Sequence, residues 1–230
     1  MQIFYTQNIQ QDKLLLDKTE ARHCFKVLRH RNGDTVYVTD GKGHLFTCSV
    51  NSPSEALTVI KTTCCPQPRS YYLHLAVPAL KKPDRIEWMV EKAVEIGIDE
   101  ISFLQTHRTE KNKINLERIK AIAVSAMKQS LHYTLPLINP IVSFHTFTQA
   151  QYSGLKLIAH CMNEDKKPLK QYEQAARYTV MIGPEGDFTP NELREALSAN
   201  FLPLSLGSSR LRSETAALAV CMGIYLINDV

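Results

Sequence analysis

From Tyr71 onward the chain alternates short apolar runs with longer helical patterns, and this rhythm constrains the fold more than any other feature. Residues 73–77, 100–104, 155–159, 178–182 and 203–206 read as strands, with Leu137-Ile138 a short extended piece. Pro83 to Ile96 and Asn115 to Leu131 read as helices. The first places Ile86, Val90, Ala93 and Val94 on one face and stops at Gly97. Thr189-Pro190-Asn191-Glu192 opens a further helix, with Thr189 as N-cap, Pro190 first inside and Glu192 closing a capping box. A last helix runs from about Ser213 to Ile227. Strands alternating with helices predict an α/β fold around a mostly parallel sheet, covered on both faces.

The earlier residues have a different texture. Residues 2–5, 35–39, 45–50 and 57–60 read as short strands separated by turn signals such as Asn32-Gly33 and Asp40-Gly41. Asn51-Ser52-Pro53-Ser54 interrupts them, and residues 19–28 form a short helix with Ala21, Phe25 and Leu28 at helical spacing. Short strands of this kind predict a small β-barrel. Pro66, Pro68 and Arg69 make a linker, giving domains at 1–70 and 71–230.

Composition excludes several classes. With 44% hydrophobic and 22% charged residues the chain is an ordinary globular sequence, not a disordered one. A net charge of +4 permits a nucleic-acid partner without demanding one. None of the six cysteines are spaced C-x-x-C, so neither a zinc site nor a thioredoxin motif is supported, and reduced thiols are expected. No run approaches the ~18 apolar residues of a membrane span. A cytoplasmic protein without a membrane partner is the expectation.

Basic residues cluster three times. Arg22, His23, Lys26, Arg29, His30 and Arg31 fall within ten residues, and on a helix Arg22, Lys26 and Arg29 share a face. Lys81, Lys82 and Arg85 form a second cluster, and His107, Arg108, Lys111 and Lys113 a third. Each is either a solvated face or a track for a phosphate backbone; three together favour a polyanionic partner.

Two glycine-bearing loops each follow a predicted strand and precede a helix: Ile182-Gly183-Pro184-Glu185-Gly186-Asp187-Phe188, and residues 206–216. Ligands of open α/β sheets bind at such strand ends. No Lys stands at P-loop spacing, Glu185 and Asp187 repel phosphate, and G-x-G-x-x-G is missing. The first loop is therefore either a plain turn or a cradle for a nucleoside with hydroxyls and positive charge, such as a sulfonium. In the second, Arg212 either pairs with Glu214 or holds an anionic substrate atom.

Taken together, the Gly183–Phe188 motif and Leu206-Gly207 with Leu211-Arg212-Ser213-Glu214-Thr215-Ala216 resemble the SPOUT class of RNA methyltransferases. More narrowly they resemble the ribosomal RNA small subunit methyltransferase E family. Further matches are His23 with Val27-Leu28-Arg29 and Gly33-Asp34, then Lys82, Arg85 and Glu87, the stretch Lys92 to Gly97, and Thr106 with Arg108. The chain departs from the family pattern at Asp187, where glycine is frequent, at Ser209, where arginine is frequent, and at Lys128, where glutamate is common.

The resemblance implies a PUA-like, RNA-binding β-barrel followed by a SPOUT α/β domain with a deep trefoil knot. It implies a homodimer that uses S-adenosylmethionine to methylate N3 of one uridine in 16S ribosomal RNA, in the small subunit. His160, Ile182, Gly183, Pro184, Glu185, Gly186, Leu206, Gly207, Ser208, Ser209, Leu211 and Thr215 would hold the cofactor. Arg212, oriented by Glu214, would stabilise charge on the acceptor. Arg22, His23, Arg29, Lys82, Arg85 and Arg108 would contact RNA. Two other readings are an RNA-binding module without catalysis and a related enzyme acting on another nucleotide.

Overall fold

The computed structural model describes residues 1–51, 56–65, 69–109 and 113–228, in two compact units. Ser52-Pro53-Ser54, Pro66, Pro68 and Lys111 lie outside the described residues.

The first unit comprises Met1–Pro68 together with Val124–Leu135. Its strands are β1 (Ile3–Tyr5), β2 (Asn8–Gln10), β3 (Lys13–Leu15), β4 (Thr35–Thr39), β5 (His44–Asn51) and β6 (Ala56–Cys64). They form one sheet in the order β1-β4-β5-β6-β3-β2, in which only the β1–β4 pair is parallel. Period-two burial along β5 puts Phe46, Cys48 and Val50 inside, where they pack with Phe4, Leu14, Val36, Val38 and Leu57. The end strands β1 and β2 are not paired with each other in this order. Thr6 joins the two sides instead: its N–H donates to the Thr39 carbonyl and its hydroxyl to the Leu15 carbonyl. The predicted barrel is thus a curled mixed sheet.

Helix α1 (Lys18–Ala21) is capped by Asp17, whose side chain accepts from the N–H groups of Thr19 and Glu20. It continues into a π-helical turn over Arg22–Val27. The wider turn shifts the faces, so the buried residues are Glu20 and Cys24 rather than Ala21, Phe25 and Leu28. Arg29 lies beyond the helical turn at φ +59, so it does not extend an Arg22–Lys26 helical stripe. Glu20 accepts from the Tyr5 N–H at 3.1 Å and pairs with Lys128, the position at which the family commonly has glutamate.

The second unit, Arg69–Ala123 with Pro136–Val230, holds a seven-stranded sheet. Its strands are β7 (Tyr72–Pro78), β8 (Glu100–Gln105), β9 (Leu137–Ser143), β10 (Leu155–Ala159), β11 (Lys167–Pro168), β12 (Arg177–Ile182) and β13 (Leu202–Ser205). The order is β11-β13-β10-β12-β7-β8-β9, and every described pairing is parallel. Helices are α2 (Pro83–Ile96), α3 (Leu116–Gln129), α4 (Phe144–Gln149), α5 (Pro190–Ser198) and α6 (Ser213–Asn228). The last part of α3 clusters with the first unit, a division that apolar periodicity does not reveal.

Side chains alternate across the sheet. Ala76, Leu104, Ile158 and Met181 face a core made with Phe144 and Phe147 of α4, Leu193 and Ala196 of α5, and Phe201. Helix α6 packs on α2, β7 and β12. The second helix buries Ile86, Met89, Val90, Ala93 and Val94 and ends at Gly97, as its sequence pattern predicts. The strand at Leu137 is longer than predicted. It runs through Pro140 because β9 is an edge strand, where a missing N–H can face outward.

The capping box at α5 forms as predicted. Thr189 accepts from the Glu192 N–H, and Glu192 accepts from the Thr189 N–H at 2.8 Å. Glu192 is buried and also accepts from the His107 N–H at 2.7 Å, so one carboxylate fixes two loop ends. Thr189→Ala removes the cap and should lower stability by about 1 kcal/mol, seen as a lower urea midpoint with an unchanged slope.

Candidate active site

The order of the sheet places β12, β10 and β13 side by side. Because all three run parallel, their carboxyl ends leave the sheet on one edge. His160 follows β10, the Gly183 loop follows β12, and the Leu206 loop follows β13. Together they enclose a cavity of about 820 Å³, within the usual range for small-molecule sites.

Local bonds hold these loops. The Ser213 hydroxyl, at the first turn of α6, donates to the Gly183 carbonyl at 2.6 Å and ties the second loop to the first. The Gly183 N–H donates to the Ala159 carbonyl at 3.1 Å. A Cβ on Gly183 would stand 2.8 Å from an Asp187 carboxylate oxygen, so the loop closes around this residue only if it lacks a side chain. Asp187 itself sits at φ +61, a conformation glycine adopts freely. Its two carboxylate oxygens accept from the N–H groups of Cys161 and Phe188, each at 2.9 Å.

The acids of the first loop are therefore engaged locally. Asp187 serves backbone donors, and Glu185 pairs with Arg85 at 2.7 Å. The sequence argument that both carboxylates present free negative charge to a ligand is corrected by these partners. Arg85 also approaches Glu214, with Nε 3.4 Å from Oε1. The predicted Arg212–Glu214 pair is not formed. Glu214 is buried at the start of α6 and turns to Arg85 of α2, leaving its second oxygen without a hydrogen-bond partner among the described residues. Arg212 is exposed, lines the cavity, and has no ion-pair partner among the described residues.

His160 is 7% exposed, and neither ring nitrogen has a partner among the described residues. Burial lowers its pKa from the usual imidazole value; the charge of Lys166 lowers it further, against opposing pulls from Asp187 and Glu164. The ring is thus held neutral, with one donor and one acceptor available to whatever fills the cavity.

Of the residues predicted to hold a cofactor, His160, Ile182, Gly183, Pro184, Glu185, Leu206, Gly207, Ser208, Ser209 and Leu211 line this cavity. Gly186 and Thr215 do not: Gly186 is turned toward Arg108, and Thr215 is exposed on α6, whose inward positions are Ser213 and Ala216. Sequence reading missed Cys161, Lys166, Ser213 and Ala216 as wall residues. The helical period of α6 could have given Ser213 and Ala216, three residues apart; nothing signals Lys166. Of the predicted RNA contacts, Lys82 is exposed just before α2, and Arg85 lies in the cavity wall. Arg108 donates to the Gly186 carbonyl at 2.5 Å. Arg22, His23 and Arg29 belong to the first unit; Arg22 and Arg29 are exposed, and His23 is half-buried beside Phe4.

A family model described as an RNA methyltransferase domain matches residues 67–224, and a second, described as an RNA methyltransferase PUA domain, matches residues 16–61. The chain belongs to the ribosomal RNA small subunit methyltransferase E family. A relative of that name from Synechocystis is 28% identical over 211 residues, covering 87% of this chain and 69% of its own. The crystal structure of a probable rRNA-methyltransferase from Porphyromonas gingivalis is 34% identical, with a TM-score of 0.92 over 100% of this chain and 99% of that one. A ribosomal RNA small subunit methyltransferase E from Neisseria gonorrhoeae, solved bound to S-adenosyl methionine, is 26% identical with a TM-score of 0.87, covering 99% of this chain and 98% of that one. Within the family pattern, the frequent glycine at position 187 is explained by the left-handed backbone there.

The lowered pKa of His160 has a measurable sign. Below the usual value of 6.5 the unfolded chain takes up a proton that the folded ring refuses, so this residue makes stability fall as pH drops through that value. An NMR titration of the folded protein should place the His160 midpoint below 6.5.

Proposed function

We propose that this chain transfers a methyl group from S-adenosylmethionine to N3 of a uridine in 16S ribosomal RNA. The observation that carries this reading is the shared cavity: Arg212, without an ion-pair partner among the described residues, lines the same space as the two glycine loops and the unpartnered His160. The family and the printed names of its members support RNA methylation of the small subunit.

The residues present suit the cofactor. A buried neutral imidazole with two unsatisfied nitrogens calls for a polar ligand, and a cavity of about 820 Å³ has room for a nucleoside with an amino-acid arm. Ile182, Gly183, Leu206 and Leu211 would offer backbone and apolar surface, and His160 a polar contact. When bound, the cofactor supplies a methyl group activated on a sulfonium. The chain's own part is to fix the acceptor in line with that methyl group and to favour the deprotonated uridine. Loss of the N3 proton spreads negative charge onto the flanking carbonyl oxygens, and the Arg212 guanidinium is the donor that stabilises it as it develops. Glu214 acts through Arg85 in this arrangement, since it does not touch Arg212.

The same reading includes a SPOUT fold whose C-terminal end is knotted, supported by the insertion of β12 between β7 and β10. It includes a homodimer: Met222 and Leu226, four residues apart on α6, are 42% and 54% exposed and form an apolar strip that a second copy would cover. The substrate would be the RNA within the small ribosomal subunit, with the PUA-like unit and the basic residues Arg22, His23, Arg29, Lys82 and Arg108 gripping its backbone.

Mapping modified nucleotides in ribosomal RNA by mass spectrometry, from cells with and without the protein, should show loss of one N3-methyluridine; an unchanged map sinks the reading. Arg212→Ala should lower turnover about 100-fold or more while calorimetry finds cofactor affinity little changed. Gly183→Val, which crowds Asp187, should do the reverse and weaken cofactor binding first.

A further inference from the structure

A second cavity, of about 240 Å³, shares the Pro184-Glu185 wall with the first. Its floor is the buried 78–80 segment that follows β7, and its sides are Lys81, Arg108, Thr109 and Gly186. It is smaller than the usual site for a drug-sized molecule but has ample room for a single tetrahedral anion. Two cations face one carboxylate, and that carboxylate, on Glu185, is already paired with Arg85 at 2.7 Å. The cavity wall is therefore positively charged. Lys81 and Arg108 are both exposed, so the charge is open to a large ligand arriving from solvent.

Arg108 has a second attachment. One of its terminal nitrogens donates to the Gly186 carbonyl at 2.5 Å. A guanidinium carries five N–H donors in a planar fork, which leaves others for an anion. Arg108 thus stands between the loop that walls the larger cavity and whatever enters the smaller one.

We infer that the smaller cavity seats a phosphodiester group of the RNA substrate, gripped by Arg108 and Lys81; this rests on the RNA-methylating function proposed above. Seating of the phosphate fixes Arg108, Arg108 fixes Gly186, and the loop that lines the cofactor cavity is ordered as a result. RNA and S-adenosylmethionine consequently strengthen each other's binding, and by linkage the factor is the same in both directions.

The test uses unmodified small ribosomal subunits as the RNA probe. Binding is measured across a salt series for the parent, Lys81→Gln, Arg108→Gln and Arg108→Lys. Lys81→Gln should weaken binding about tenfold and lower the logarithmic salt slope by about one, with cofactor affinity in the absence of RNA unchanged. Arg108→Gln should do the same and also abolish the gain in cofactor affinity caused by the subunits; Arg108→Lys should restore the slope but not that gain. Parental affinity and slope in both Lys81→Gln and Arg108→Gln, with a parent that binds and methylates subunits, overturns the subsite alone. A parent that neither binds nor methylates them overturns the underlying function, and the subsite with it.

Discussion

The structure depends on a single constraint, the parallel direction of β10, β12 and β13. Parallel strands cannot be joined by tight hairpins, so each must leave the sheet, cross a face and return. That requirement delivers the three carboxyl ends to the same edge. It puts His160, the Gly183 loop and the Leu206 loop within reach of one another, although they are spread over nearly fifty residues of chain. Helix α6, which follows the last of these loops, packs against α2, β7 and β12, and it carries Ser213 to the Gly183 carbonyl. The cavity is in this sense a product of strand direction first and of side chains second.

Charge is distributed with similar economy. Three carboxylates stand near the site, and each has an assignment within the protein: Asp187 to backbone N–H groups, Glu185 and Glu214 to Arg85. Arg85 links the N-terminal turn of α2 to both loops. Arg212 is left with its charge directed at the cavity. An arginine kept clear of its carboxylate neighbour is a stronger electrostatic partner for a developing anion than one already paired.

Much of this was legible in the residues, and the failures have physical causes. The strands of the second unit, the capping box at Thr189 and the two loops follow from periodicity and local chemistry, because those signals are short-range. Most of the cofactor wall was also named correctly, since a loop carries its neighbours with it. What failed were partnerships over long separations. Glu214 lies two residues from Arg212 in sequence, yet pairs with Arg85, more than a hundred residues away. Arg85 was taken as a surface cation because nothing local shows the two acids that fold toward it. The π-helical turn at Arg22–Val27 defeated the face assignment for the same reason: one extra residue per turn is invisible to a 3.6-residue period.

Asp187 narrows what this position can become. Its backbone sits in the left-handed region, which excludes branched and bulky side chains at little less than the cost of local unfolding of the loop. Glycine is free to adopt it but supplies no acceptor. Asparagine tolerates it but offers one acceptor oxygen, where Cys161 and Phe188 present two donors. Aspartate alone satisfies both, and its codons differ from those of glycine by a single base. The position can therefore drift between glycine and aspartate across descendants of one ancestor while the loop, and the cavity it bounds, keeps its shape.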